Sequence, residues 1–342
     1  CLAIARQRGV QFVGKTNTSE LALAVSGMNA YYGTPVNPRE KWWHLVPVGS
    51  SSGSAVEVAN NEADVAFGTD TAGSIRVPAA CCGVVGLKTT FGLVPIKGVY
   101  PIAPTHLDTV GPMAKDIANT AEGRDLLQEG FAARYRQAVA ARPSGQGIKV
   151  GRLYTKGTHP TIDRAVDDAL AATGFTVVKL SPEFTDKWEQ AQKDDDTIAA
   201  VGAWLYDIKF QQESGVTLKT KAVVALGGIE YNTTYKPALR RQAAWKSEMA
   251  KAFRNLDFIA LPTLKSMPPH MPPFGGTVAF EARMLGMQNT QAVNLAGVPA
   301  LAMPIPLGRG SHVTSLQLVG PAESEAALLN AGRLVEEATR RR

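Results

Sequence analysis

The chain has 342 residues, 45% hydrophobic and 19% charged, enough apolar surface for one large or two ordinary globular domains and too much for a disordered chain. Its 32 glycines and 21 prolines follow no period, which excludes collagen-like and solenoid architectures and suits an α/β protein with many loops. The net charge of +6 is diffuse: the densest run is Arg340, Arg341 and Arg342, and no aromatic-interleaved basic stripe marks a nucleic-acid surface.

Cys1, Cys81 and Cys82 are too few to staple a chain of this size and have neither zinc-site nor C-x-x-C spacing, so a reducing, cytoplasmic setting is expected. The longest apolar stretch, residues 298–307, is broken by prolines and falls far short of the ~20 residues that cross a bilayer. Residues 1–9 carry neither an initiator Met nor a signal-peptide pattern and read as the tail of a helix ended by Gly9. The expectation is a chain that lacks its natural start, with apolar surface exposed beside a strand at 10–13.

In chain order, the pattern predicts that strand at 10–13, then a helical turn at 18–25 capped by Thr18 or Ser19. A loop at 31–39 and an apolar segment at 45–48 precede the serine-rich run 49–54. A small-residue helix from 55, a strand at 63–67 and a helix after Pro78 follow. Helical pattern covers 118–141, with a loop at 141–147; strands at 148–154 and 175–180 flank an amphipathic helix at 161–172. Residues 188–255 are mostly helical and polar. A strand at 258–261, a Pro-rich loop at 268–273, a strand at 316–319 and a C-terminal helix complete the chain. The alternation implies an α/β fold with a central twisted mixed sheet flanked by helices.

Two loops end a strand and open a helix, and both are crowded with Ser and Gly: GSSSGS at 49–54 and TDTAGSIRVP at 69–78. Helix starts offer unpaired N–H groups, so either loop suits an anion or a developing oxyanion as well as an ordinary cap. A phosphate cradle is disfavoured because neither loop carries the P-loop lysine. Gly49-x-Ser51-x-Gly53 matches the nucleophile elbow of α/β-hydrolases, which would need a late histidine, His270 or His312, as base. That reading leaves the second loop without a role.

The motifs GKTN at 14–17, GSSSGS at 49–54, GTDTAGSIR at 68–76, CGVVGLK at 82–88 and LDTVGPM at 107–113 resemble the amidase signature family in its order and spacing. Weaker matches follow in LPT at 261–263, NLAGVPA at 294–300 and LQLVGP at 316–321. The resemblance runs from about residue 3 to the last helix and thins between 120 and 255.

It implies a single domain over 1–342, with a signature core at 10–117, a variable helical cap and substrate region at 120–290, and a return to the core at 291–342. The implied activity is hydrolysis of a carboxamide C–N bond through an acyl-serine, with a nucleophilic serine, a second serine after a cis peptide bond, and a lysine. By motif position Ser74 is the nucleophile and Ser50 the bridging serine. Backbone N–H groups of Thr71, Ala72, Gly73 and Ser74 would form the oxyanion hole, supported by Ser51, Asp70 and Arg76. Asp70 and Arg76 read equally as an ordinary surface pair.

Ala72 and Val48 stand where the family usually has Gly. The family's catalytic lysine lies upstream of the GKTN motif, and neither Lys15 nor Lys88 matches it, so no general base is assigned. By the family mechanism this chain is expected to be inactive on amides. No metal or organic cofactor is implied, nor a nucleic-acid or membrane partner; a small-molecule amide is the expected substrate, and a homo-oligomer stays open. Alternatives are an esterase using Ser51, the amidase component of a tRNA-dependent amidotransferase, ranked lower because FGLVPI at 91–96 looks like free-standing enzymes, and a non-catalytic remnant.

Overall fold

The computed structural model describes residues 1–39, 45–272, 276–308 and 312–340. His44, Pro273, Ser311, Arg341 and Arg342 fall outside them. The strands are β1 (Val65–Asp70), β2 (Val85–Lys88), β3 (Thr109–Ala114), β4 (Lys149–Arg152), β5 (Thr176–Lys179), β6 (Phe258–Pro262), β7 (Ala300–Pro306) and β8 (Val313–Val319). They form one sheet in the order β1-β3-β2-β7-β8-β6-β4-β5. Pairs involving β4 are parallel and the others antiparallel, the mixed α/β sheet expected.

The helices of the first half are α1 (Ala3–Gln7), α2 (Ser52–Ala59), α3 (Arg76–Cys82), α4 (Ile117–Asp125), α5 (Phe131–Ala141) and α6 (Pro160–Ala171). Those of the second half are α7 (Pro182–Asp207), α8 (Leu218–Thr233), α9 (Tyr235–Ala252), α10 (Val278–Gly286), α11 (Gln291–Ala296) and α12 (Glu325–Arg340). Local chemistry sets several starts. Ser181 Oγ accepts the Phe184 N–H at 3.3 Å and Pro182 opens α7, while Thr277 caps α10 through the Phe280 N–H at 3.1 Å. No helix among the described residues is long and apolar enough to cross a membrane.

Alternation along the strands sorts the core onto two faces. Phe258 and Ala260 join Leu301, Met303 and the buried faces of α4, α5, α6 and α12. Ile259 and Leu261 point the other way, into a cluster built on α7, α9 and α11 around Trp188 and Trp245. The prolines of β7 are accommodated because its pairing with β2 ends at Ala302, so Pro304 and Pro306 withhold no N–H from that neighbour.

Several expectations are corrected. Residues 10–13 form no strand, and Val10, Phe12 and Val13 are 37%, 47% and 69% exposed, because among the described residues no strand pairs with them. The predicted helix at 18–25 shrinks to a 3₁₀ turn at Glu20–Ala22, since Leu21 and Ala22 take positive φ, and Ser19 makes no side-chain cap. Residues 45–48 contribute only an isolated bridge from Leu45 to His270. The helix expected from 55 starts at Ser52, and the one expected after Pro78 starts at Arg76. The 118–141 stretch is split between α4 and α5 by Gly130 at φ +80°.

Close strand packing makes one glycine critical. A Cβ on Gly111 of β3 would lie 1.9 Å from the Leu87 carbonyl oxygen of β2, a backbone atom that cannot swing aside. Gly111→Ala is expected to cost about 3 kcal/mol, the upper end of overpacking, read as a lowered urea midpoint at unchanged m-value.

Candidate active site

The run at 49–54 and the loop after β1 meet at one place. The Gly49–Ser50 peptide is cis, and Val48 before it has φ +56°, a strained setting for a β-branched residue. The loop is anchored by backbone bonds from Gly49 to the Val25 carbonyl (2.7 Å) and from Ser19 to the Ser50 carbonyl (3.0 Å). The N–H of Ser51 donates to the carbonyl of Ser74 at 3.2 Å, which joins the two serine loops directly.

Ser74, Thr71, Ala72 and Gly49 line a cavity of about 250 Å³. Ser50, the residue after Gly49, is buried at 2% exposure and is not among the residues that line the cavity. The N–H groups of Thr71, Ala72, Gly73 and Ser74 donate to no other group among the described residues. Ser51 faces away: its Oγ sits between the Thr69 N–H (3.2 Å) and the Thr69 carbonyl (3.3 Å) of β1. His270 and His312, the bases an elbow serine would need, do not line the cavity.

The segment 71–74 is held by a buried ion pair. Asp70 and Arg76 are fully buried, which overturns the surface-pair alternative. Asp70 Oδ1 accepts from Arg76 Nη2 (2.9 Å) and Asn294 Nδ2 (2.8 Å). Its Oδ2 accepts from Arg76 Nε (3.0 Å) and the Ile75 N–H (3.2 Å). Arg76 Nη1 donates to Gln317 Oε1 (2.6 Å) and the Thr290 carbonyl (3.0 Å), and Nη2 also reaches Asn294 Oδ1. Burial alone would push the Asp70 carboxyl up; Arg76 and its hydrogen bonds overcome that and hold it below the usual carboxylate range.

Two further contacts shape the loop. Thr290 Oγ1 donates to the Ala72 carbonyl (2.6 Å), and Thr71 Oγ1 to Asp108 Oδ1 (2.8 Å). Gly73 has φ +134°, and a Cβ there would sit 2.2 Å from Thr290 Oγ1, so only glycine fits. Asn294, Thr290, Gln317 and Asp108 are site residues that sequence reasoning does not reach. Asn294, Gln317 and Asp108 lie in matched motifs, but their long-range partners leave no local signal.

Lys15 does not line the cavity, and Lys88 is wholly buried away from it. Lys88 Nζ donates to the Val298 carbonyl (2.9 Å) and the Thr89 carbonyl (3.0 Å), and burial, helped by Arg76, lowers it to about 7. Burial pushes the Cys82 thiol up to about 12 and Cys81 higher than its usual value, which disfavours thiolate chemistry at either. Glu20 accepts from the Thr217 N–H (3.1 Å) and Oγ1 (2.5 Å), tying the start of α8 to the signature core. Among the described residues no group of three or more His, Cys, Asp or Glu is placed to hold a metal ion.

Asp195 on α7 keeps both carboxylate oxygens buried and without a partner, within electrostatic reach of Asp70, Arg76 and Lys88. Burial, then the neighbouring Asp196, raises it well above the usual range despite Arg76 and Lys88. Above the unfolded value of about 3.9 the unfolded chain loses a proton that the fold retains, so this group's contribution to stability falls as pH rises through that window. Asp195→Asn removes the slope. Urea unfolding should show the variant gaining on the parent protein from pH 4 to pH 8, and parallel pH profiles would contradict the assignment.

A family model described as Amidase matches residues 3–329. The chain is 33% identical over 344 residues to the 2-amino-5-chloromuconic acid deaminase of Comamonas testosteroni, covering 95% of this chain and 71% of that protein. It is also 33% identical to a glutamyl-tRNA(Gln) amidotransferase subunit of Natronomonas pharaonis, over 96% of this chain and 85% of the other. Among solved structures, 6-aminohexanoate cyclic dimer hydrolase in complex with substrate superposes with a TM-score of 0.80 at 25% identity, covering 98% of this chain and 77% of that one.

Proposed function

This chain belongs to the amidase family, enzymes that hydrolyse carboxamide C–N bonds, and we propose that it does so through an ester on Ser74. One observation carries the reading: Ser74 faces a cavity beside four N–H groups with no other partner, on a segment pinned by Asp70 and Arg76. Ser74 Oγ attacks the carbonyl carbon, and the N–H groups of residues 71–74 receive the oxyanion. Each such donor contributes about 10²- to 10³-fold in rate.

Ser50 gives its own hydroxyl proton to the departing nitrogen as it takes the proton of Ser74, so the relay leaves Ser50 neutral and the nitrogen leaves as an amine. The two hydroxyls come into register when substrate binds, as catalytic hydrogen bonds commonly tighten in the complex. Water then cleaves the ester. Much of the cavity wall comes from α7, α8 and α10, which supports reading residues 120–290 as the cap that selects the substrate and 291–342 as the return to the core. The relatives named as glutamyl-tRNA(Gln) amidotransferase subunits favour a second reading, a component working with protein partners, for which co-purification with companion chains is the test.

Three serine variants separate the roles. Incubated with a p-nitrophenyl ester, the protein should gain the mass of one acyl group, and Ser74→Ala should gain none. Ser51→Ala should still acylate, which removes the esterase alternative. Ser50→Ala should lose amide hydrolysis by about 10²-fold or more while ester acylation falls less, because p-nitrophenolate leaves without a proton. Acylation that survives Ser74→Ala but not Ser51→Ala would reverse the assignment.

A further inference from the structure

Every polar group of Thr290, the residue before α11, is engaged. Its carbonyl accepts from Arg76 Nη1 at 3.0 Å, and its N–H donates to Gln291 Oε1 at 3.2 Å. Its hydroxyl oxygen lies 3.4 Å from Gln288 Oε1 and 2.6 Å from the Ala72 carbonyl oxygen, so its one proton goes to Ala72. A threonine at the start of a helix ordinarily uses that hydroxyl to cap its own helix, and Thr290 makes no such cap. Its side chain serves the oxyanion loop instead. The Ala72 carbonyl belongs to the same peptide as the Gly73 N–H, so the hydrogen bond from Thr290 fixes the plane of one of the four oxyanion donors.

Gln291, which receives the Thr290 N–H, has an amide that can sit two ways. Turning it over exchanges Oε1 for Nε2 and sets a donor against the Thr290 N–H. Two acceptors hold it in the observed sense by taking Nε2: the Leu285 carbonyl of α10, at a long 3.4 Å, and the carboxyl of Asp196 on α7. The carboxylate is the stronger, because a charged acceptor makes a hydrogen bond about twice as strong as a neutral one. Gln291 is buried, so bulk water does not stand in for either. Asp196 lines the cavity together with Ser74, Thr71 and Ala72. Glu230 of α8 lines the same cavity and opposes ionisation of Asp196, Asp195 adjoins it on α7, and α11 carries no charged side chain. Arg241 of α9 is engaged by Asp194 at 2.6 Å, and Lys219 of α8 by Glu281 of α10 at 2.8 Å.

We propose that Asp196 is a positioning residue for the oxyanion loop: its carboxylate orients the Gln291 amide, Gln291 holds Thr290, and Thr290 sets the peptide that carries the Gly73 N–H. The arrangement belongs to the ionised carboxyl. Once protonated, Asp196 carries an O–H that competes with the Thr290 N–H for Gln291 Oε1, and the amide loses its fixed sense. Burial pushes Asp196 up to about 7, against the Gln291 hydrogen bond and with Glu230 adding to the rise, so the network changes state near neutral pH. This role rests on the acyl-Ser74 reading for the use made of the Gly73 N–H, and its test needs no turnover.

The test is ¹H–¹⁵N correlation spectroscopy of the full chain from pH 5 to pH 9. In the parent protein the Gly73 amide resonance should move with a midpoint at about 7. In Asp196→Asn, whose side-chain oxygen still accepts from Gln291, it should stay at its alkaline position. Glu230→Gln should lower the midpoint, because the charge that opposes ionisation of Asp196 is gone, and it reads the assignment without touching Asp196. Gln291→Leu should abolish the Gly73 titration. If that variant fails to fold, judged by circular dichroism, Thr290→Val, which keeps the side-chain shape and removes the hydroxyl, decides the same point. Lys88, also lowered to about 7 and interacting with Asp70 and Arg76 at either end of the loop, is the competing source. A Gly73 titration that survives Asp196→Asn belongs to Lys88 and overturns the proposal. So does a flat parent profile, a midpoint unmoved in Glu230→Gln, or a titration that survives Gln291→Leu or Thr290→Val in its place, which would mean that Asp196 acts across the cavity and not through Gln291. A Ser74 that never acylates refutes the acyl-Ser74 reading and leaves these titrations as stated.

Discussion

The buried ion pair between Asp70 and Arg76 is the constraint on which the active-site face depends. Taking two charges out of water costs several kcal/mol per ion, and that cost is recovered only when geometry and hydrogen bonding are complete. Here they are complete: both carboxylate oxygens and the guanidinium edges are engaged by one another, by Asn294, Gln317 and the Thr290 carbonyl. The pair brackets residues 71–75, so the chain between them is held like a staple across a short bend. Thr290 then fixes the Ala72 carbonyl, which turns the peptide plane and leaves the adjacent N–H groups free. Residues 218 positions apart in sequence thus meet on this short segment.

The same network explains the small side chains. Gly73 cannot carry a Cβ against Thr290, and Ala72 keeps an available N–H while adding only a methyl group. The family pattern prefers glycine at 72, yet alanine leaves the backbone donor in place, because the N–H belongs to the peptide and not to the side chain. Lys88 lies beneath this layer and is committed to two carbonyl oxygens, which makes it a strut for the β2 end of the sheet rather than a proton acceptor for Ser74.

What the sequence made legible was whatever is encoded locally. Amphipathic periodicity marked α6 within one residue at each end, and the two serine-rich loops that carry Ser50 and Ser74 meet. The failures have physical causes. Residues 10–13 look like a strand by β-propensity, but a strand needs a partner and none pairs with them among the described residues. Glu20–Ala22 looks like the start of a longer helix, but the loop must turn to reach Ser50, and Leu21 and Ala22 take positive φ to do it. Gly49-x-Ser51-x-Gly53 matches a nucleophile pattern, yet the Ser51 hydroxyl is occupied by β1, a fact visible only once residue 69 is known to lie beside it. The Asp70–Arg76 spacing did not reveal burial, because burial comes from α11 and β8.

One property of the cavity bears on Ser74 and on the carboxyls that line it alike. An apolar, water-poor wall strengthens a hydrogen bond from an amide N–H to an oxyanion, because little solvent competes for the charge. The same wall raises Asp196 and Glu230, because little solvent supports theirs. An enzyme that lined this space with water-filled polar groups would relieve the carboxyls and weaken the oxyanion site together.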